Sequence, residues 1–152
     1  MMASALMAFL HFLAAFALVA ALVVERVAFA PSMSVAGARR LQRVDMLFGL
    51  SAGVVLVAGL LRVEYFEKGP AYYWHDAYFL VKLGVFLIAA VISIYPTITF
   101  LAWGPGLKAD RAPDISPTVA GRIRLCLDCE LACIVIIILC ACLMAHGLGA
   151  LG

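Results

Sequence analysis

The sequence predicts an all-α integral membrane protein, a four-helix bundle with both termini on the outer, periplasmic side. Three observations predict this. First, 66% of the 152 residues are hydrophobic and only 13% are charged, too few charges to cover the surface of a water-soluble domain. Second, four segments carry little or no charge, and each approaches the roughly 20 apolar residues that a membrane-spanning helix needs. Third, the basic residues are concentrated in two of the three connections between these segments.

The chain is predicted to be a single domain, residues 1–152, with spans at about 3–24, 44–62, 77–103 and 125–150. The first uncharged run lacks the basic start and the cleavage site of a signal peptide, so we interpret it as a retained helix. The second run is short by itself, and its helix should include Asp45 and bring Arg62 to the far interface. Because lipid offers no water to backbone polar groups, all four spans should be helical.

The connections contain helix start and stop signals. Pro31 should end the first helix, and Ser34 is placed to cap a new helix that continues through the arginines into the second span. The third connection includes the stretch WGPGLKADRAPDISPT, residues 103–118. Its proline and glycine content predicts a break between the third and fourth spans.

The basic residues also predict the orientation. The connections at 25–43 and 104–124 carry eight arginines and lysines, whereas the middle connection carries two, Arg62 and Lys68. Cytoplasmic loops are enriched in these residues, so both termini and the middle connection should lie outside. We therefore expect a multi-pass protein of a bacterial inner membrane, in contact with the lipid bilayer. A net charge of +2 with scattered basic residues disfavours nucleic acid as a partner.

Four ionisable residues are predicted to lie in the outer half of the membrane: His11, Arg62, Lys82 and His146. From the helical rise, His11 lies roughly 12 Å below the outer end of its helix and Lys82 roughly 8 Å inside the third span. Ionisable groups in a membrane are costly and are therefore functional candidates. We predict that the first and third spans are neighbours and that His11 and Lys82 face a common interior pocket.

Each of these residues also has a structural interpretation. Lys82 can extend its ammonium group to the lipid headgroups. Arg62 and His146 can simply mark the interface at the ends of their helices. His11 can be a core histidine that bonds to a neighbouring helix, although it lies deepest and its imidazole has the shortest reach.

A second polar layer lies on the cytoplasmic side, at the ends of three spans. We interpret it as a set of ion pairs that fix the helix ends, and its charged members are Glu25, Arg26, Asp45, Arg122, Arg124, Asp128 and Glu130. Asp128 and Glu130 are two residues apart and cannot share a helix face. This spacing disfavours a paired-carboxylate site on the fourth helix.

All five cysteines lie in the segment CLDCELACIVIIILCAC, residues 126–142. Cys126, Cys133 and Cys140 recur every seven residues, and Cys129 falls on the same helix face. Thiolates suit Cu(I) or zinc, but one rigid helix cannot surround an ion, so a partner chain would have to supply ligands. Small residues also let membrane helices approach closely, and we favour this packing role.

The segment from Gly59 to Trp103 resembles the signature of an uncharacterised bacterial family of predicted four-span membrane proteins. The resemblance covers nearly the whole chain and includes FLHFLAAFAL at residues 9–18, VDMLFG at 44–49 and SIYPT at 93–97. This family has an arginine where His146 stands here, so the resemblance implies no family-wide role for His146.

The layout is also distantly similar to CopD-like copper-resistance proteins and to the HemJ-type protoporphyrinogen oxidase. The oxidase pairs a first-span histidine with a lysine near the start of its third span and is associated with haem b. His11 and Lys82 occupy matching places, although YFLVK replaces the oxidase's WLH-x-K pattern. The resemblance implies haem b with His11 as axial metal ligand. Lys82 or His146 would lie opposite it or pair with a propionate, and Arg62 would pair with the other propionate.

Three hypotheses follow. The first is a haem b-associated membrane redox protein, and thus a candidate oxidoreductase. The second is a non-enzymatic accessory or assembly subunit of a homo-oligomer or larger membrane complex, in which GLSAGVVLVAG at residues 49–59 is a packing face. The third, which we favour least, is copper handling by the cysteines. The sequence contains no nucleotide-binding or hydrolase signature, and resemblance of layout does not identify a substrate.

Overall fold

The computed structural model describes residues 2–67 and 69–149; Lys68 and residues 150–152, which include the predicted end of the fourth span, lie outside the described residues. Four helices in it are long and apolar enough to cross a membrane. They are α1, Met2–Ala28; α2, Val35–Leu61; α4, Ala77–Ala102; and α6, Pro117–Ala145. Two short helices, α3 at Pro70–Trp74 and α5 at Gly104–Lys108, lie in the connections. The described residues contain no strand, so the predicted all-α fold class is confirmed.

Side-chain caps determine where three of the long helices begin. Ser34 accepts a hydrogen bond from the Gly37 N–H at 3.1 Å and starts α2, as the sequence predicts. Asp76 accepts from the Phe79 N–H at 3.0 Å at the start of α4. Ser116 accepts from the Val119 N–H at 3.4 Å, with Pro117 at the first helical position of α6. Because α2 and α6 start at these caps, both helices begin well before the predicted spans.

The helices pack as two antiparallel pairs, α1 with α2 and α4 with α6, and smaller contacts join α1 to α6 and α2 to α4. Within the described residues α1 and α4 make no backbone contact, so they occupy opposite corners of the bundle. The predicted adjacency of the first and third spans is therefore wrong. The physical reason is that each short connection places consecutive long helices side by side, which leaves the first and third diagonal.

The two ends of the bundle are packed differently. The end that carries residues 29–34 and 109–116, here called the loop end, contains the main core, in which Leu22, Leu41 and Phe100 are fully buried. The opposite end, called the termini end, carries Met2, Gly149 and residues 62–67 and 69–76, and its described residues include a small buried cluster of Val63, Tyr73 and Phe79. Most of the outward apolar side chains remain exposed, as expected for a surface that faces lipid.

The distribution of arginines and lysines predicts that the termini end faces away from the cytoplasm, and topology reporters in a bacterial expression host test this orientation. We expect a carboxyl-terminal fusion to alkaline phosphatase to be active and the matching fusion to green fluorescent protein to be dark, because both report on the side of the membrane they reach. Fusions at Asp110, in the loop end, should give the reverse pattern. The same pattern at both positions would contradict the topology.

The cap of α2 gives a stability prediction. Ser34→Ala should lower the free energy of unfolding by about 1 kcal/mol, because the Gly37 N–H loses its acceptor. Unfolding of the purified protein in mixed detergent micelles measures this. Ser32→Ala is the matched control, since Ser32 is exposed, and an equal loss in both variants would argue against the cap.

Candidate functional site

His11 belongs to the interior face of α1, three residues before Ala14 and seven before Leu18, and its ring is half-buried. Its Nδ1 lies 3.0 Å from the backbone carbonyl of Val55 on α2. A carbonyl can only accept, so Nδ1 must donate this hydrogen bond, which leaves Nε2 as the nitrogen with a free lone pair. The ring also packs on Gly59, where an added Cβ would lie 3.1 Å from Cε1.

Arg62 lies where α2 passes into a single π-helical turn, Arg62–Phe66, an irregularity often found at functional sites. Its guanidinium donates to Glu67 at 2.5 Å and lies 5.3 Å from the centroid of the Phe12 ring. Its Nε is buried and has no hydrogen-bond partner among the described residues. The arginine is thus held between α1 and the middle connection with one donor unused.

Lys82 lies on the interior face of α4 in register with Phe79 and Ala89, and its side chain is half-buried. The ammonium nitrogen lies 5.5 Å from the centroid of the Phe79 ring, within the range of a cation–π contact. Within the described part of the chain it has neither an ion pair nor a hydrogen bond. His11, Arg62 and Lys82 are close enough to interact electrostatically, and we call these three residues the termini-end cluster.

His146 does not join this cluster. It follows the last residue of α6, is exposed, and donates from Nδ1 to the Cys142 carbonyl at 2.9 Å. His75 is similarly exposed and bonds to the Ala71 carbonyl at 2.8 Å. Of the four candidate residues in the outer half, three therefore approach one another and His146 lies apart.

The second polar layer lies near the loop end and differs from the predicted set of ion pairs. Arg26 and Asp128 do pair, at 2.5 Å and largely exposed to the surroundings. Glu25, Asp45 and Glu130 are buried and form no ion pair in the described residues, so the ion-pair interpretation is wrong for them. The reason is helical geometry: adjacent or alternate positions diverge around the helix, which turns one member outward and the other inward.

The buried acids lie on α1, α2 and α6, and one of them forms a hydrogen bond to the fourth long helix, α4. Thr97 of α4 donates to the Asp45 carboxylate at 2.8 Å. One oxygen of Glu25 and both oxygens of Glu130 are buried without a partner in the described residues. Glu130 also lines a partly open cavity of about 220 Å³, together with Ser93 and Thr97. We call Glu25, Asp45 and Glu130 the buried carboxyl cluster.

The five cysteines are all free: Cys140 is buried, Cys142 is exposed, and the other three are intermediate. Across residues 2–67 and 69–149, no three histidine, cysteine or acidic side chains are arranged to hold a metal ion. Within this chain, the cysteine stripe therefore has the geometry of a helix surface rather than of a metal centre.

The spanning helices and the ionisable side chains between them define an integral membrane protein with a polar interior at two levels. Residues 3–149 match the model of a family described as "Predicted membrane protein (DUF2214)", and the chain belongs to that family. Neither a search of curated proteins nor a search of solved structures found a match. The comparisons show no similarity to CopD-like or HemJ-type proteins.

Alanine substitutions at two glycines of α2 test whether the position of the His11 ring depends on the space beside it. Gly53→Ala should stabilise the protein by roughly 0.5–1 kcal/mol, since an added Cβ meets nothing and helix propensity improves. Gly59→Ala should gain less, because its Cβ meets the His11 ring. Unfolding in detergent and the imidazole resonances of His11 check this. Equal gains and unchanged resonances would show that the ring does not depend on Gly59.

Proposed function

We propose that this protein is a haem b-associated redox protein of the membrane and that the termini-end cluster holds the cofactor. One observation carries the proposal: His11 donates from Nδ1 to the Val55 carbonyl, which leaves Nε2 available to iron on the interior side of α1. This is how most histidine ligands are oriented, because a carbonyl on the other ring nitrogen fixes the tautomer and increases ligand basicity.

The surrounding charges fit the remaining groups of the cofactor. Haem b carries two propionates, and Arg62 and Lys82 supply positive charge within electrostatic reach of His11. The free Nε of Arg62 is a donor that a carboxylate can use. Lys82, rather than the exposed and separate His146, would be the second residue to hold the group together with His11. When bound, the haem supplies one-electron chemistry, whose potential depends on the axial ligands and on burial.

The fit rests on the donor set rather than on a preformed porphyrin cavity. Neither of the two described cavities is lined by His11. The histidine, the two cations and the aromatic rings of Phe12 and Phe79 beside those cations are the residues that would hold the group. Val55 and Gly59 act through His11, the first by orienting the imidazole and the second by giving it room.

The absorption spectrum of the protein, extracted gently from membranes of a haem-producing host, tests the proposal. We expect a Soret band that shifts on reduction, and its loss or displacement in His11→Ala, because the iron loses its ligand. His75→Ala is the matched control, an exposed histidine at the same end of the bundle. A wild-type protein without a Soret band, or a spectrum unchanged in His11→Ala, would refute the assignment.

A second candidate is a non-enzymatic subunit of a larger membrane complex. A groove of about 470 Å³ between α1 and α2 is lined by Met7, Leu10, Gly49 and Gly53 among others, and a Cβ added to either glycine meets nothing. Such small residues on a lipid-facing helix permit close approach of another helix. A stoichiometric partner that is lost in Gly53→Leu and kept in His11→Ala would favour this function. Copper handling by the cysteines has no comparable observation in its support.

A further inference from the structure

Three acidic side chains occupy the bundle interior near the loop end, and the haem proposal uses none of them. Glu25 of α1 is 1% exposed, Asp45 of α2 is 5% exposed and Glu130 of α6 is 1% exposed. The fourth helix contributes Thr97, whose hydroxyl donates to Asp45. Leu22, Phe48 and Leu127, each three residues from one of these acids, belong to one buried cluster, so the three carboxyls face the same part of the bundle interior.

The cluster has no counter-charge in the described residues. The closest basic side chain along α1, Arg26, is turned outward to Asp128, and Arg43 on α2 bonds to the Arg39 carbonyl. An ionised carboxylate away from water is strongly disfavoured unless it is paired, and like charges at short distance oppose each other's ionisation. The three acids therefore cannot all be ionised, and something must neutralise at least one of them.

Thiol and phenol groups also border the cluster. On α6, the thiols of Cys126 and Cys133 lie near Glu130, and on α4 the ring of Tyr95 packs against the core. Neither a thiol nor a phenol has a positively charged form. They cannot compensate a carboxylate, so the neutralising species must come from outside the described residues.

A proton fits this role better than a metal ion. No three donors among the described residues converge as a metal site requires, and one of the Asp45 oxygens is occupied by Thr97. The unpartnered oxygens belong to Glu25 and Glu130, and a proton on either converts that acid into a donor for a neighbouring oxygen. The cavity beside Glu130, about 220 Å³, has room by volume for several waters at about 30 Å³ each.

We propose that Glu25, Asp45 and Glu130 form a proton-binding site, which exchanges its proton through the cavity that Glu130 lines. The site is independent of the haem assignment, because it uses different residues at the other end of the bundle. It gives this membrane protein a second activity, the reversible binding of a proton at a site inside the bilayer. The step requires no further reactant, because one carboxylate takes up a proton from water and later returns it to water.

Infrared difference spectroscopy of the purified protein in lipid, recorded across a pH series without sodium, tests the proposal. The wild type should show the carbonyl band of a protonated carboxylic acid that persists at pH values where ordinary carboxyls are ionised. Glu130→Gln should remove a component of this band and about one titrating proton per chain. Asp128→Asn is the matched control, an exposed acid on the same helix, and should leave the band unchanged.

The free energy of unfolding, measured as a function of pH, provides a second test that also detects variants that fail to fold. A carboxyl that holds its proton in the folded chain and loses it in the unfolded chain makes the protein less stable as pH rises. Glu25→Gln and Glu130→Gln mimic the protonated acid and should reduce this dependence on pH. Absence of the band, its loss in Asp128→Asn instead, or its replacement by carboxylate bands on addition of sodium at fixed pH would overturn the proposal.

Discussion

A polar side chain on the interior face of a membrane helix can find partners only on the other helices, because no bulk water reaches it. In the described part of the chain, three hydrogen bonds between interior positions of the long helices meet this requirement, and all involve α2. His11 donates to the carbonyl of Val55, Gln42 donates to the carbonyl of Phe100 at 2.5 Å, and Asp45 accepts from Thr97. Such bonds average about 0.6 kcal/mol and reach about 1.7 kcal/mol in membrane proteins. Together they fix the register of α2 against α1 and α4.

The groups that this network leaves without partners are distributed unevenly. At the termini end they are the Nε of Arg62, the ammonium of Lys82 and one oxygen of the buried Asp76. At the loop end they are the oxygens of Glu25 and Glu130. The main core lies around these acids, with a cavity beside Glu130, whereas the cations lie near the smaller cluster of Val63, Tyr73 and Phe79. The loop end therefore favours a positively charged species, whereas the termini end combines two cations with one buried carboxyl.

Much of the fold could be predicted from sequence, because hydropathy, caps and arginine distribution are local signals. Ser34 is a clear example, since its position shortly after Pro31 identifies both the cap of α2 and the residue at which α2 begins. Helix adjacency could not be predicted in the same way. His11 and Lys82 lie on the interior faces of their helices as expected, but their helices are diagonal, because short connections place consecutive helices side by side. The hydropathy pattern alone does not indicate which helices are neighbours.

The buried carboxyl cluster was missed because charge balance was counted by membrane depth rather than by helix face. At that depth four acids lie level with three arginines, so the layer looks nearly neutral. The periodicity of α1 carries the missing signal: Ala14, Leu18, Leu22 and Glu25 repeat at three- and four-residue steps on one face. A search for acids in register with the apolar face identifies Glu25 without a structure.

The separation of the two ends limits how strongly they act on each other. Along α4 the rise from Lys82 to Thr97 is roughly 22 Å. A unit charge added at one level would change the energy of a unit charge at the other by at most about 0.8 kcal/mol at an effective dielectric constant of 20, less than a factor of ten in an equilibrium constant. Direct electrostatic coupling of a cofactor at His11 to a proton at Glu130 is therefore weak. Strong coupling would require a proton to travel through the cavity, which extends along α4 from Thr97 to Phe86, one helical turn from Lys82.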